Sequence, residues 1–243
     1  MDFLFQPETY VSLFTLTLLE IVLGIDNIIF ISIVTNKLPQ EDRKKTRTIG
    51  LLFALLFRII LLSFIIYIIR LTNPLFTFGS FIFSIRDLIL LLGGIFLIAK
   101  SITEMHDKIE GEEHNIKNSK AASFFYVILQ IVILDIIFSF DSILTAIGLS
   151  NQLPIMIAAV VISMIVMIYF SGYISTFINK HPTLQVLALS FLILIGFMLT
   201  IEAFHYEIPK GYIYFALFFS VLVEMINMKI RARHKLAMEK KKE

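Results

Sequence analysis

Cysteine and tryptophan are missing from this chain, and charge is scarce: Asp, Glu, Lys and Arg make up only 16% of it, too little for an ordinary soluble surface. Without cysteine there are no disulfides, thiolate metal sites or thiol chemistry. No HExxH, phosphate-cradling glycine loop or nucleophile elbow occurs, which argues against an intramembrane protease or an ATPase, and the chain is read as a non-enzyme with no bound cofactor. The first eight residues, Met1 to Glu8, lack the basic start of a cleaved signal, so the first apolar segment is expected to remain as an anchor. The net charge of +2 is small, and Lys and Arg gather in the short loops and the tail, where they report orientation rather than nucleic-acid binding. In place of charge the chain has apolar length. Its 58% of hydrophobic residues fall in long runs, which predicts an integral membrane protein whose partner is the lipid bilayer.

Seven runs are long enough to be transmembrane helices: about 10–36, 48–70, 85–103, 122–150, 154–178, 184–205 and 210–230. The expected fold is all-α, a single transmembrane domain over residues 1–243. Basic residues gather after the first run (Lys37, Arg43, Lys44, Lys45, Arg47), after the third (Lys108, Lys117, Lys120) and in the tail from Lys229. The alternate connections are poorer in them, Arg70 and Arg86 being the exceptions. By the positive-inside rule the protein sits in the cell membrane with its N-terminus outside and its C-terminus in the cytoplasm.

The first run is interrupted by acids. Glu20 and Asp26 stand six residues apart inside an otherwise apolar stretch, and Asn27 follows directly. The pattern returns 115 positions later, with Asp135 over Glu20, Ser139 over Gly24, Asp141 over Asp26 and Ser142 over Asn27. At the same offset Asn36, Leu38 and Pro39 are matched by Asn151, Leu153 and Pro154. This is an internal duplication: repeat one at about 10–104, an inner loop at 105–121, repeat two at 122–205, an additional helix at 210–230 and a basic cytoplasmic tail at 231–243. Each repeat holds three spans, an odd number, so the second copy enters the membrane inverted, as in secondary transporters.

A charged side chain near the bilayer centre costs at least ~2.5 kcal/mol on insertion scales, so a tolerated one faces a bundle interior, a partner or an ion path. On a continuous helix, residues six apart are turned by about 120° and separated by about 9 Å. A break or a tight contact at Gly24 and at Ser139 would let four carboxylates converge with Asn27 and Ser142, an all-oxygen set suited to Mg²⁺, Ca²⁺ or Mn²⁺. The plainer alternative is that the acids only cap, pair or hydrogen-bond between helices. The duplicated spacing favours the ion. The metal-site residues are thus Glu20, Asp26, Asn27, Asp135, Asp141 and Ser142. Arg58, deep in the second span, is the counter-charge, with a structural pair to Asp26 or Glu20 as its default. Asp87, Glu104 and Glu202 are candidates for an ion path, although Arg86-Asp87 also reads as an interfacial pair and the two glutamates as solvated. Once a metal leaves, crowded carboxylates in low dielectric take up protons as a coupled set, which points to exchange of metal for protons.

The stretches Glu20-Ile-Val-Leu-Gly-Ile-Asp26-Asn27-Ile-Ile-Phe, Arg86-Asp87-Leu-Ile-Leu, Leu134-Asp135-Ile-Ile-Phe-Ser-Phe-Asp141-Ser142, Asn179-Lys-His-Pro-Thr and Ile208-Pro-Lys-Gly-Tyr-Ile-Tyr-Phe-Ala resemble the TerC family of integral membrane proteins. The resemblance covers nearly the whole chain. It implies kinship with the LysE-type transporters and export of Mn²⁺, with Asp26 and Asp141 at the core supported by Glu20, Asn27, Asp135 and Ser142. The competing reading is a non-transporting membrane scaffold in tellurium or metal resistance, or in metal supply to secreted enzymes.

Overall fold

Proline lacks the N–H that an interior helical turn needs, so it stands at helix starts. Pro7, Pro154 and Pro182 lie in the first turns of three helices, and Pro39 immediately precedes a fourth. The computed structural model describes residues 7–64, 67, 73–78, 81–110, 120–149, 152–206 and 208–239. Among these residues there are seven long helices: α1 (Pro7–Thr35), α2 (Gln40–Ser63), α3 (Ile85–Glu110), α4 (Lys120–Leu149), α5 (Leu153–Asn179), α6 (Pro182–Glu202) and α7 (Lys210–Glu239). Six of them carry stretches long and apolar enough to cross a bilayer, and α4 carries the shorter apolar stretch Phe124–Phe140 among its described residues. These elements make a helical, multi-pass membrane protein.

Three boundaries differ from the hydropathy reading. The second helix ends at Ser63 rather than near residue 70, and a small antiparallel hairpin follows: β1 (Pro74–Phe78) paired with β2 (Phe81–Ser84), in register Phe76 to Phe83 and Phe78 to Phe81. Asn73-Pro74 cannot continue a helix, and the Phe-rich stretch after it suits strands. The third helix runs to Glu110 and the seventh to Glu239, past the ends of their apolar runs, because polar helical turns persist where water replaces lipid. The loop residues 111–119, with Glu112, Glu113 and His114, and Arg70 lie outside the described residues.

The helices pair across the chain. The most extensive contacts are α3 along α6, α1 along α5 and α2 along α4. Gly94 and Gly196 make the first of these possible, since each backbone carbonyl oxygen lies where a Cβ on the other would press. Leu51, Leu90, Leu97, Ile131, Leu189 and Leu192 fill the interior between the pairs. Helix α7 packs only along α6 among the principal contacts and leaves Tyr212, Phe215, Phe218 and Ile226 exposed, a surface that suits lipid.

Helix directions follow from specific contacts. Gly24 of α1 lies against Met167 of α5, and Asn36 and Asn179, each twelve residues further on, exchange side-chain amide hydrogen bonds. So α1 and α5 run the same way. Gly50 lies against Ile131, and Arg58 meets Asp135, so α2 and α4 also run together. Only residues 36–39 join α1 to α2, which makes these two antiparallel, and α1 therefore opposes α4.

Candidate functional site

The centre of the bundle is held by one arginine. The Arg58 guanidinium, 2% exposed, donates through Nη1 to Glu20 Oε2, through Nη2 to Asp135 Oδ1 at 2.8 Å, and through Nε to Asp135 Oδ1 and Oδ2 at 3.2 and 3.1 Å. Glu20 and Asp135 are each only 5% exposed. Charges this deeply buried persist only when paired and hydrogen-bonded, and the planar fork of arginine meets both acids at once. Arg58 thus reaches Glu20, one of its two default partners, together with Asp135, which the sequence does not suggest. Ser139 Oγ adds a hydrogen bond to Asp135 Oδ2 at 3.1 Å. Its counterpart Gly24 cannot do the same for Glu20. Instead Gly24 lets Met167 pack closely against α1.

Both acid-bearing helices are continuous, so neither Gly24 nor Ser139 marks a break. This decides how the six candidate residues are laid out. Starting from the level of the Glu20–Arg58–Asp135 contact, Asp26 is six residues along α1 and Asp141 six residues along the oppositely directed α4. At about 1.5 Å per residue, each backbone lies about 9 Å along its helix from that level, on opposite sides of the arginine. The side chains of Asp26 and Asp141 lie outside the described ones. Among the described residues no three His, Asp or Glu side chains converge as a metal site. Asn27 and Ser142, next to the two aspartates, are buried at 7% and 6% exposure. Ser142 Oγ donates to the Ser139 carbonyl at 3.3 Å, whereas the Oδ1 and Nδ2 atoms of Asn27 are buried with no hydrogen-bond partner. An unpaired amide of this kind costs about 1–3 kcal/mol unless something binds it.

The three path candidates are all engaged. At the hairpin end of the bundle, Asp87 completes a capping box at the start of α3: Ser84 N donates to its Oδ2 at 2.8 Å, and Asp87 N donates to Ser84 Oγ at 3.2 Å. The spacing Ser84-Ile-Arg-Asp87 is the sequence signal that could have revealed it. Asp87 also meets His205 Nε2 at 3.1 Å, while Arg86 pairs with Glu202 rather than with its neighbour. His205 adopts φ 63° just past the end of α6. There its N–H reaches the Glu202 carbonyl and the Tyr206 N–H reaches that of Ile201, a helix-ending turn usually built on glycine. That turn places the His205 ring over Asp87. At the opposite end, Glu104 is 3% exposed and not solvated, held by Lys37 at 2.8 Å and Lys100 at 2.7 Å, with Asp107 3.1 Å from Lys37. Burial disfavours the Lys37 ammonium, but the hydrogen bond and charge of Glu104, and then of Asp107, outweigh it and raise Lys37 above the ordinary lysine value.

The profile of the Integral membrane protein TerC family matches residues 5–238. The UPF0053 inner membrane protein YgdQ of Escherichia coli K12 is 55% identical over 223 residues, covering 92% of this chain and 94% of that protein. A UPF0053 protein of Haemophilus influenzae is 49% identical over 95% of this chain and 98% of its own length. The UPF0053 inner membrane protein YoaE of Escherichia coli K12 is 51% identical over 93% of this chain, which spans only 44% of that longer protein. No solved structure matches. With the family profile spanning almost the entire sequence and relatives aligned end to end, the chain belongs to the integral membrane protein TerC family.

Proposed function

We propose that this protein exports a divalent metal ion, Mn²⁺ by the family resemblance, in exchange for protons. The observation that carries the reading is the buried contact at the bundle centre, where counterpart acids from the two halves of the duplication, Glu20 and Asp135, share Arg58. The pairing α1 with α5, α2 with α4 and α3 with α6 maps onto itself when the halves are exchanged, which supports an inverted repeat. In this reading Asp26 with Asn27 and Asp141 with Ser142 supply oxygen ligands on either side of the centre, and the free amide oxygen of Asn27 is one of them. Glu104, held by Lys37 and Lys100, stands at one mouth, and Asp87 and Glu202, held by His205 and Arg86, stand at the other.

Proton coupling follows from charge. A carboxylate in low dielectric that loses its divalent partner is stabilised by protonation, so the emptied carrier takes protons inward as metal goes out. The test is transport in vesicles containing the purified protein, with Mn²⁺ and a pH-sensitive dye followed together. An imposed pH gradient should drive Mn²⁺ movement and the dye should respond to a Mn²⁺ gradient. Mn²⁺ flux blind to both would leave a channel or a potential-driven carrier, and no flux at all would favour the scaffold reading.

The orientation belongs to the same reading, with the hairpin end outside and the basic loops inside. Because the chain has no cysteine, single introduced ones report sidedness directly. Tyr206→Cys, at an exposed position after α6, should react with an impermeant thiol reagent applied to intact cells, and Lys44→Cys near the start of α2 should not. The reverse pattern would overturn the orientation.

A further inference from the structure

A buried arginine between two acids ordinarily acts as a structural clamp. Three features of Arg58 point elsewhere. Its two acids are counterparts in the duplicated motif, so the guanidinium lies where the halves meet rather than within one of them. One cation faces two carboxylates, which leaves the group with a net negative charge. And the support is lopsided: Asp135 has Ser139 as a second donor, while Glu20, among the described residues, has Arg58 alone.

We propose that Arg58 is a tethered substitute for the transported cation. It occupies the central Glu20–Asp135 pair while no metal is there, and it must swing off before a divalent ion can use those carboxylates. This inference rests on the transport reading above and deepens it. The guanidinium suits the task because its donors satisfy two carboxylates held a few ångströms apart, as an ion would, yet its covalent stem keeps it in the protein. It also changes the proton count. With the guanidinium offsetting one of the two central carboxylate charges, the empty carrier has one charge fewer to neutralise before it returns. The divalent ion, carrying twice the charge of the guanidinium, competes for the pair with an electrostatic advantage that a monovalent ion lacks. The pair thereby selects for divalent cargo.

The test is metal binding by the purified full-length protein in detergent, measured as Mn²⁺ bound per chain after equilibrium dialysis. Arg58→Met should bind Mn²⁺ at least tenfold more tightly than wild type, and adding Glu20→Gln to it should remove the gain. A folded Arg58→Met with wild-type affinity would overturn the proposal, because the freed pair would then take no cation in place of the guanidinium. Should Arg58→Met fail to fold, Arg58→Lys serves: its single ammonium cannot span both acids, and it should bind Mn²⁺ at least tenfold more tightly than wild type. Unchanged affinity in a folded Arg58→Lys would also overturn it. The measurement needs no transport. A Glu20-dependent gain in a protein that moves no Mn²⁺ in vesicles would retain the cation-substitute role and defeat only the exporter reading.

Discussion

Cells expressing Asp26→Asn or Asp141→Asn under manganese load should retain as much metal as cells without the protein, a loss of efflux of at least tenfold, while both variants reach the membrane in wild-type amounts. The two expectations together make the result informative. Asparagine has nearly the volume of aspartate, so packing along α1 and α4 is undisturbed, and removing a charge from a membrane helix lowers its insertion cost, which is at least ~2.5 kcal/mol for aspartate on insertion scales. What disappears is a ligand charge and a proton acceptor. Because the two positions lie on opposite sides of the Arg58 contact, the paired variants also test whether an ion must pass both levels. If either variant keeps full efflux, its level is not on the path. If both fail only through poor insertion, the aspartates hold the fold and not an ion.

The largest structural effect is expected from one added methyl group. Gly94→Ala would place a Cβ 2.5 Å from the Gly196 carbonyl oxygen, 2.5 Å from Thr200 Oγ1 and 2.9 Å from Thr200 N. Two of these are backbone atoms of α6, which move only if the whole helix moves. Overpacking of this sort costs about 1–3 kcal/mol and more where nothing can yield. Here it strikes the most extensive helix pair in the bundle. Gly24→Ala makes the contrast, because its methyl would run into the side chain of Met167 rather than backbone. Methionine has three rotatable bonds and adapts to irregular gaps, and alanine gains about 0.5–1 kcal/mol over glycine in a helix, so the net change there should be small. Thermal unfolding in detergent separates the two: a clear drop for Gly94→Ala and little change for Gly24→Ala. Equal melting of both variants would mean that α3 and α6 have slack that their packing does not show.

Part of the central site is legible in the sequence alone. Arg58 stands out because an arginine deep in an apolar run must find an acid, and Glu20 is one of the two nearest choices. Asp135 is not foreseeable as its partner. Nothing in the composition of residues 122–150 says which face of that helix turns toward α2 or at what height. Gly24 and Ser139 carry the expectation that they interrupt their helices or pack tightly. Tight packing prevails at Gly24, where the small residue admits Met167, while Ser139 spends its hydroxyl on Asp135. Glu104 reads as solvated because it follows the end of an apolar run, yet α3 continues past it and turns it toward Lys37 and Lys100. The Asp87–His205 contact depends on a left-handed residue at position 205, where the usual glycine signal is absent.

The sequence by itself determined the kind of molecule, a helical membrane protein with long apolar spans, and the existence of two matched acidic centres. Both follow from local quantities: the bilayer requires about 20 apolar residues per helix, and a repeated motif is read by counting. The tertiary structure alone decided that Glu20 and Asp135 share one guanidinium while Asp26 and Asp141 part to either side of it. The physical reason is that contacts between helices depend on their direction, height and rotation relative to one another. Those are set by small residues, such as Gly94 against Gly196, and by buried charges seeking partners, neither of which a hydropathy pattern encodes.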